Sequence, residues 1–363
     1  MTDAMASPAA PPAARPARPA PDAPGPRAAT GDRNRTGTEA RRISAQVLEL
    51  LLPHRRAAEP GPLPGRPGAA GAAGPGGAPG STPPDPEDPG AFGEQLDQVG
   101  RFVRAGEPIV LTLPGFPCKS PNPAKVLGHL PDEGERLSLT FLDRLCARIG
   151  EIHRPGATLV ICSDGHVFGD LIRVPDAHID AYADELRAMI AREGLTHLRT
   201  FDLRDAYGDL GHDDKRALVQ AEYAPAADAL RAEVRTDEDT LRLYRGITRF
   251  LVEDTPGYAG TRSALQRECR SRAYGVIARS RAWGELIAAH RPHSVRLSIH
   301  PQRRGSAKFG IRLLDAEDVW VTPWHSAVLR RADGGSRLMR RAEAERLGRL
   351  VLRDGRPSHF QAR

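Results

Sequence analysis

The sequence predicts an α/β protein built on a mostly parallel sheet with flanking helices, and three observations predict it. Two short, continuous apolar runs rich in β-branched residues, EPIVLTL (107–113) and ATLVICSDG (157–165), read as buried strands. Between them RLSLTFLDRLCARIGEIH (136–153) places Leu137, Phe141, Leu145 and Ile149 at helical spacing, so the three segments form a strand–helix–strand unit with a right-handed crossover. A further helix over 176–193 leads to HLRTFDL (197–203), a third strand, and the repeat of this pattern gives an open, Rossmann-like sheet.

Taken in order, the chain of 363 residues opens with a segment that cannot build a core. Most of its 33 prolines precede residue 90, in PAAPPAARPARPAPDAPGP and GRPGAAGAAGPGGAPGSTPPDPEDPG. These stretches bury too little to offset backbone entropy of about 1–2 kcal/mol per residue. Disorder is expected for 1–37, and 57–91 reads as a Pro/Gly-rich linker. TEARRISAQVLELLLPHRR between them carries Ile43, Val47, Leu48, Leu50 and Leu51 on one face, which predicts a helix over 38–56 that docks on the main domain. The catalytic domain is expected over 92–335, with a C-terminal extension over 336–363. It begins with a helix over 92–104. Residues 212–290 read as mainly helical and end in an arginine-rich segment. SVRLSIHP (294–301) alternates as a strand does, and KFGIRLL (308–314) follows a short basic turn, which predicts a hairpin near the C-terminus.

Bulk properties narrow the functions. A formal net charge of +6, with arginines interleaved with acids, suits a small anionic ligand. Aromatic residues make up 5 %, too few for a base-stacking platform, so nucleic acid is not the expected partner. No secretory signal and no run of membrane-spanning length is visible, and the four cysteines form no CxxC or zinc spacing. A cytoplasmic protein with reduced thiols, no bound metal and no membrane partner is expected.

Chemistry concentrates at strand ends, where open α/β sheets bind ligands. After the first strand comes PGFPCKSPN (114–122), with Lys119, Ser120 and Asn122, and Lys125 just beyond. It is not a nucleotide-binding loop. Cys118 stands where that motif needs its second glycine, and three prolines remove backbone donors. Ser163 and Asp164 end the second strand; the plain alternative for Asp164 is a turn residue before glycine. Arg296, Ser298 and His300 alternate on one strand face, which would ordinarily meet solvent, and Lys308 is expected close across the hairpin. His325 sits in the loop-like TPWH. Arg279 is a candidate to face the cleft from the arginine-rich helix. HRPH (290–293) reads as a helix end, and no carboxylate–histidine metal set is evident.

LPGFPCKSPNPAKVLGHLPDEGE, HRPGATLVICSDGHVFGD, VRLSIHP, the lysine of KFGI and TPWH together resemble the isocyanide (isonitrile) synthase family, which includes PvcA-type enzymes and the spore-wall dityrosine enzyme. The resemblance spans about residues 92–330. It implies conversion of the α-amino group of an amino acid, L-tyrosine or else L-tryptophan, into an isonitrile. Ribulose 5-phosphate is the implied carbon donor and co-substrate, with no cofactor, and an iron/2-oxoglutarate-dependent oxygenase is the implied pathway partner. A relative of the family stops at an N-formyl amino acid. Within this frame Lys119, Ser120, Asn122 and Lys125 are expected on the phosphate side. Ser163 and Asp164 would meet sugar hydroxyls or move protons, with Arg279, Arg296 and Ser298 also contacting substrate. His300, Lys308 and His325 complete the catalytic set. The alternatives are a non-catalytic binding relative or a nucleic-acid binder using RLSIHPQRRGSAKFGI; salt-dependent binding of generic nucleic acid would favour the latter.

Overall fold

The computed structural model describes residues 37–58, 89–314 and 321–363. The expected disorder of 1–37 and the linker at 57–91 fall largely outside these residues.

In chain order the elements are α1 (Gly37–Leu51), α2 (Gly93–Ala105), β1 (Ile109–Pro114), α3 (Glu133–Ile152), β2 (Ala157–Cys162), α4 (Gly165–Ile172), α5 (Asp176–Arg192) and β3 (Leu198–Phe201). A helical stretch follows, α6 (Leu203–Tyr207), α7 (His212–Tyr223), α8 (Ala227–Thr236), α9 (Glu238–Glu253) and α10 (Arg262–His290). Then come β4 (Val295–Ser298), β5 (Phe309–Gly310), β6 (Ala327–Arg330), β7 (Ser336–Met339), α11 (Arg341–Leu347), β8 (Gly348–Arg353) and β9 (Arg356–Ala362).

The main sheet has the order β3-β2-β1-β4-β5, with each neighbouring pair parallel. One face buries Ile109, Leu111, Leu113, Leu159, Val295 and Leu297 against α1, α2, α3 and α5. The other turns Val160 and Cys162 toward α4, α7 and α10, where Trp283, Leu286 and Ile287 cover them. Burial on both faces explains the continuous apolar runs.

α3 begins earlier than the apolar pattern suggested. Asp132 caps it: its carboxylate accepts from the Gly134 N–H (2.9 Å), and Glu135 accepts from the Asp132 N–H (2.9 Å). The D-x-x-E spacing in PDEGE is a capping box, visible in the sequence but read there as a polar connection. Its buried face is also rotated, using Leu139, Leu142, Leu145, Cys146 and Ile149, while Leu137 and Phe141 are only half-buried.

α1 packs its apolar face into the same core as β1 and α3. Ala40, Val47, Leu48 and Leu51 are all fully buried. The strand-like segment that follows bridges residues beyond β4 and β5: the Arg56 N–H donates to Gly310 O (2.9 Å) and the Arg312 N–H to His54 O (2.8 Å). Leu48→Ala is expected to destabilise the protein by about 2–5 kcal/mol, as for other buried leucines. Urea unfolding checks this, and a loss under about 0.5 kcal/mol, the level of an inert surface change, would show that the arm is not part of the core.

The hairpin expected over 294–314 does not form. β4 and β5 run parallel, with Leu297 opposite Phe309 and Ser298 opposite Gly310, and the ten intervening residues cross back to start β5 at the level of β4. A C-terminal hairpin is present further on, between β8 and β9. It belongs to a second sheet, β7-β6-β9-β8, in which β6 and β7 pair across residue 335. Among the described residues, no helix is long and apolar enough to cross a membrane.

Candidate active site

β1 sets the geometry. Pro114 at its end pairs with Cys162 of β2, and extending the Thr112–Arg296 register by two residues sets Ser298 of β4 at the same level. Asp164 and His300 therefore emerge two residues beyond their strands, on either side of β1. Their strands are two spacings apart, roughly 10 Å. The PGFPCKSPN loop crosses the gap at the carboxyl edge of the sheet.

The loop passes very close to α4. A Cβ on Gly165 would lie 2.1 Å from Pro117 O and 2.7 Å from Ile179 Cγ2, so only glycine permits this contact. On its other side lies the Pro323–His325 turn. The Ser120 N–H donates to Trp324 O (2.8 Å), and the Trp324 ring packs on Phe116, their centroids 5.0 Å apart.

Lys119 is fully buried and engaged on every side. Its Nζ lies 2.8 Å from Asp132 Oδ2, 2.7 Å from Glu135 Oε2 and 3.1 Å from Pro323 O. An ammonium has three donors, so none remains for a phosphate. Burial alone would lower its pKa, but the two carboxylates hold it raised. Tyr182 completes the cluster, its hydroxyl donating to Glu135 Oε1 (3.1 Å). Lys125 is similarly matched: Glu253 Oε2 lies at 3.0 Å and Asp254 Oδ1 at 2.5 Å. Ser120 donates to Asp254 Oδ2 (3.0 Å), and Asn122 Nδ2 donates to Glu253 O (2.9 Å). The four residues expected on the phosphate side thus latch the loop to α3 and to the end of α9. Their acidic partners lie far away in sequence or in the capping box, which is why residue types alone suggested anion binding.

Asp164 stands apart. It is half-buried, its Oδ1 has no hydrogen-bond partner among the described residues, and burial pushes its carboxyl up to about 7. It heads α4 without making a side-chain cap. A carboxyl poised near neutrality can take or give a proton. Neighbouring Ser163 is half-buried and its N–H donates to Phe201 O (2.8 Å). His325 is held neutral: burial first, then Lys125, Lys119 and His300, bring it down to about 3. Its Nδ1 lies 3.0 Å from Thr322 Oγ1 and its ring meets Phe250 edge-on at 4.9 Å.

On the β4 side, Arg296 and Ser298 face α10 rather than solvent. Arg296 donates to Gly284 O (3.4 Å), and Ser298 is buried, its Oγ accepting from the His300 N–H (3.1 Å) and from Gln302 Nε2 (3.2 Å). Continuing the parallel register by one residue places Lys308 opposite Arg296, so the two are neighbours even though no hairpin joins them. His300 is exposed at its surface, yet the protein around it, then Arg56 and Lys308, lower its pKa. Arg56, supplied by the arm after α1, was missed in the sequence; its location at the end of a docking helix gave no sign of the contact.

Arg279 lies elsewhere. Its guanidinium pairs with Asp170 Oδ1 (2.5 Å) and donates to Val167 O (3.1 Å), which ties α10 to α4. Cys118 is buried, and burial, then Asp164 and Asp254, raise its thiol far out of the nucleophilic range. A carboxylate–histidine set does assemble: His166, Asp176 and His212 bring donor atoms within 4.8 Å of one another. The two imidazoles stack at 4.1 Å and 3°, so their in-plane lone pairs do not converge, and Arg216 grips both Asp176 oxygens at 2.8 and 2.9 Å. This is the geometry of an ion-pair cluster. A cleft of about 260 Å³ opens on the outer side of the loop, between Cys118, Ser120, Val126, Leu127, Val174 and His178.

A model of the pyoverdine/dityrosine biosynthesis protein family matches residues 99–351. The chain is 50 % identical over 275 residues to an L-tyrosine isonitrile synthase of Pseudomonas aeruginosa, covering 74 % of this chain and 83 % of the relative. It is 44 % identical over 269 residues to an L-tryptophan isonitrile synthase of Fischerella ambigua, covering 73 % and 81 %. The crystal structure of PvcA from Pseudomonas aeruginosa superposes with a TM-score of 0.77 at 43 % identity, over 88 % of this chain and all of that one.

Proposed function

The chain belongs to the isocyanide (isonitrile) synthase family of PvcA type, and on that footing we propose that it converts the α-amino group of an amino acid, L-tyrosine first, into an isonitrile. The carbon donor in this reading is ribulose 5-phosphate. The observation that carries it is the carboxyl edge of the sheet, where Asp164 and His300 emerge two residues beyond β2 and β4 on either side of β1, and burial raises the pKa of the carboxyl and lowers that of the imidazole. Condensing an amine with a sugar ketone and then cleaving the sugar requires proton transfers at defined positions and a firmly held phosphate. Asp164 serves as the base that frees the amine. His325 and His300 are placed to exchange protons with the sugar. The outer cleft suits the amino-acid side chain: Val126, Leu127, Val174 and Pro175 offer apolar walls, and His129 and His178, stacked at 4.5 Å, offer polar atoms.

The 50 % identity to an L-tyrosine isonitrile synthase supports tyrosine over tryptophan in this reading. The product would pass to an iron/2-oxoglutarate-dependent oxygenase. The test is incubation of the purified protein with ribulose 5-phosphate and a mixture of the common amino acids, with mass spectrometry and a tetrazine trap. A trapped tyrosine isonitrile is expected. An N-formyl amino acid would move the protein to the formylating branch, and no consumption of either substrate would overturn the reading.

A further inference from the structure

We infer that His129 and His178 form a hydroxyl-reading pair at the mouth of the outer cleft, which selects a phenolic amino-acid side chain over a plain phenyl one. This rests on the reading above, in which the cleft takes the side chain of the amino acid, and it assigns the choice of tyrosine to two residues outside the strand-end chemistry.

The first ground is the size and depth of the cleft. Its volume of about 260 Å³ falls below the roughly 300–1,000 Å³ of pockets for drug-sized ligands, which suits one side chain better than two substrates together. Val126, Leu127, Val174 and Pro175 give it apolar walls. Cys118 and Ser120 line its buried end, whereas His129 and His178 are exposed at its mouth. Asp164 is near enough to Cys118 to help raise its thiol pKa. The α-amino group therefore lies at the loop end, toward Asp164, and the far end of the side chain at the mouth.

The second ground is what stands at the mouth. His129 comes from the loop before α3 and His178 from the first turn of α5, and their rings stack 4.5 Å apart at 20°. Their ring nitrogens make no hydrogen bond or ion pair among the described residues. The other stacked pair is committed: His166 Nε2 lies 3.1 Å from Asp180 Oδ1, and His212 Nε2 lies 3.4 Å from Asp180 Oδ2. Burial, then His178, lower the pKa of His129, so its ring is neutral at neutral pH. A neutral imidazole carries one donor and one acceptor nitrogen, and a phenol hydroxyl is likewise both donor and acceptor. The pair can thus offer a phenol two hydrogen bonds, an indole N–H one and a phenyl ring none. Both imidazoles meet solvent, so water replaces a missing hydroxyl. Discrimination should be about 5- to 100-fold, the scale of one or two neutral hydrogen bonds, rather than the roughly 10⁴- to 10⁵-fold of a sealed hydroxyl site.

The experiment measures binding of L-tyrosine and L-phenylalanine to the full-length protein by calorimetry, alongside steady-state kinetics with ribulose 5-phosphate. His129→Leu and His178→Leu are compared with the wild type, and His178→Gln, which keeps a donor and an acceptor, serves as the rescue. The wild type should favour tyrosine by about 5- to 100-fold. Each leucine variant should narrow that ratio by weakening tyrosine, with phenylalanine changing far less and the KM for the sugar phosphate staying put. His178→Gln should recover part of the preference. Either leucine variant keeps the test open if the other fails to fold. A tyrosine-to-phenylalanine ratio unchanged in both variants, or a wild type that takes the two equally well, would overturn the pair while leaving the isonitrile reading intact. A tyrosine preference that depends on His129 and His178 in a protein that makes no isonitrile would keep the pair and overturn that reading instead. A wild type that neither binds nor turns over tyrosine would overturn both.

Discussion

Asp164→Asn is expected to reduce kcat/KM by about 10²- to 10⁴-fold, the range for loss of a positioned acid or base, and to leave the protein more stable at pH 8. Both effects follow from one geometry. Oδ1 is buried without a partner, and burial lifts the carboxyl to about 7 from an ordinary 3.8. The fold therefore favours the protonated form. Below about pH 4 the acid is protonated folded or unfolded and costs nothing; as pH rises from 4 to 7 the unfolded chain ionises first and the native state loses ground. The full cost, on the order of 2–4 kcal/mol for a partly exposed group with this shift, is present above pH 7, and asparagine removes it. Urea unfolding at pH 5 and pH 8 should show the variant's advantage growing with pH. In the wild type kcat/KM should rise through about pH 7 as the base ionises, and this limb should vanish in Asp164→Asn. The phosphate ester's own ionisation near pH 6 should remain in both. A variant with wild-type kcat/KM, or one that keeps the limb, would remove Asp164 from the chemistry.

Lys119→Met should be the most destabilising single change at the site, costing about 3–5 kcal/mol as expected when one member of a buried ion pair is removed. Methionine matches the volume but strands Asp132 and Glu135 beside each other without a cation. Burial already pushes Asp132 up to about 7, with Lys119 pulling it down and Glu135 pushing it further up. The same carboxylates cap α3, so the damage should extend to the helix start. The measurement is chemical denaturation together with the KM for ribulose 5-phosphate in whatever folded protein remains. Lost stability with little change in that KM is the expected pattern for a strut. Preserved stability with a much raised KM would return Lys119 to the phosphate.

Asp164 and Lys119 also show how far the sequence could be read. Asp164 was found because a carboxylate directly after a continuous apolar run must sit at the sheet's carboxyl edge. Lys119 was found for the same reason, but its role was not legible. Nothing in PGFPCKSPN shows that Asp132 and Glu135, 13 and 16 residues later, fold back to meet it. His300 and Lys308 were placed together on the expectation of a hairpin. Parallel pairing instead sets Lys308 at the level of Arg296, four residues before His300, because the ten residues between the strands return to the start of β4.

The sequence by itself determined the α/β class, the chain order of the first three strands and their helices, and the family. Each of these depends on local periodicity or on contiguous motifs, which the chain carries without reference to distant partners. The tertiary structure alone decided which of the loop cations are matched by carboxylates. Lys119 and Lys125 meet carboxylates at the start of α3 and the end of α9, while Arg56 comes to His300 from a segment about 240 residues earlier. Charge compensation depends on distance in space, and side chains this far apart in sequence become neighbours only once the sheet has brought its strand ends and the N-terminal arm together.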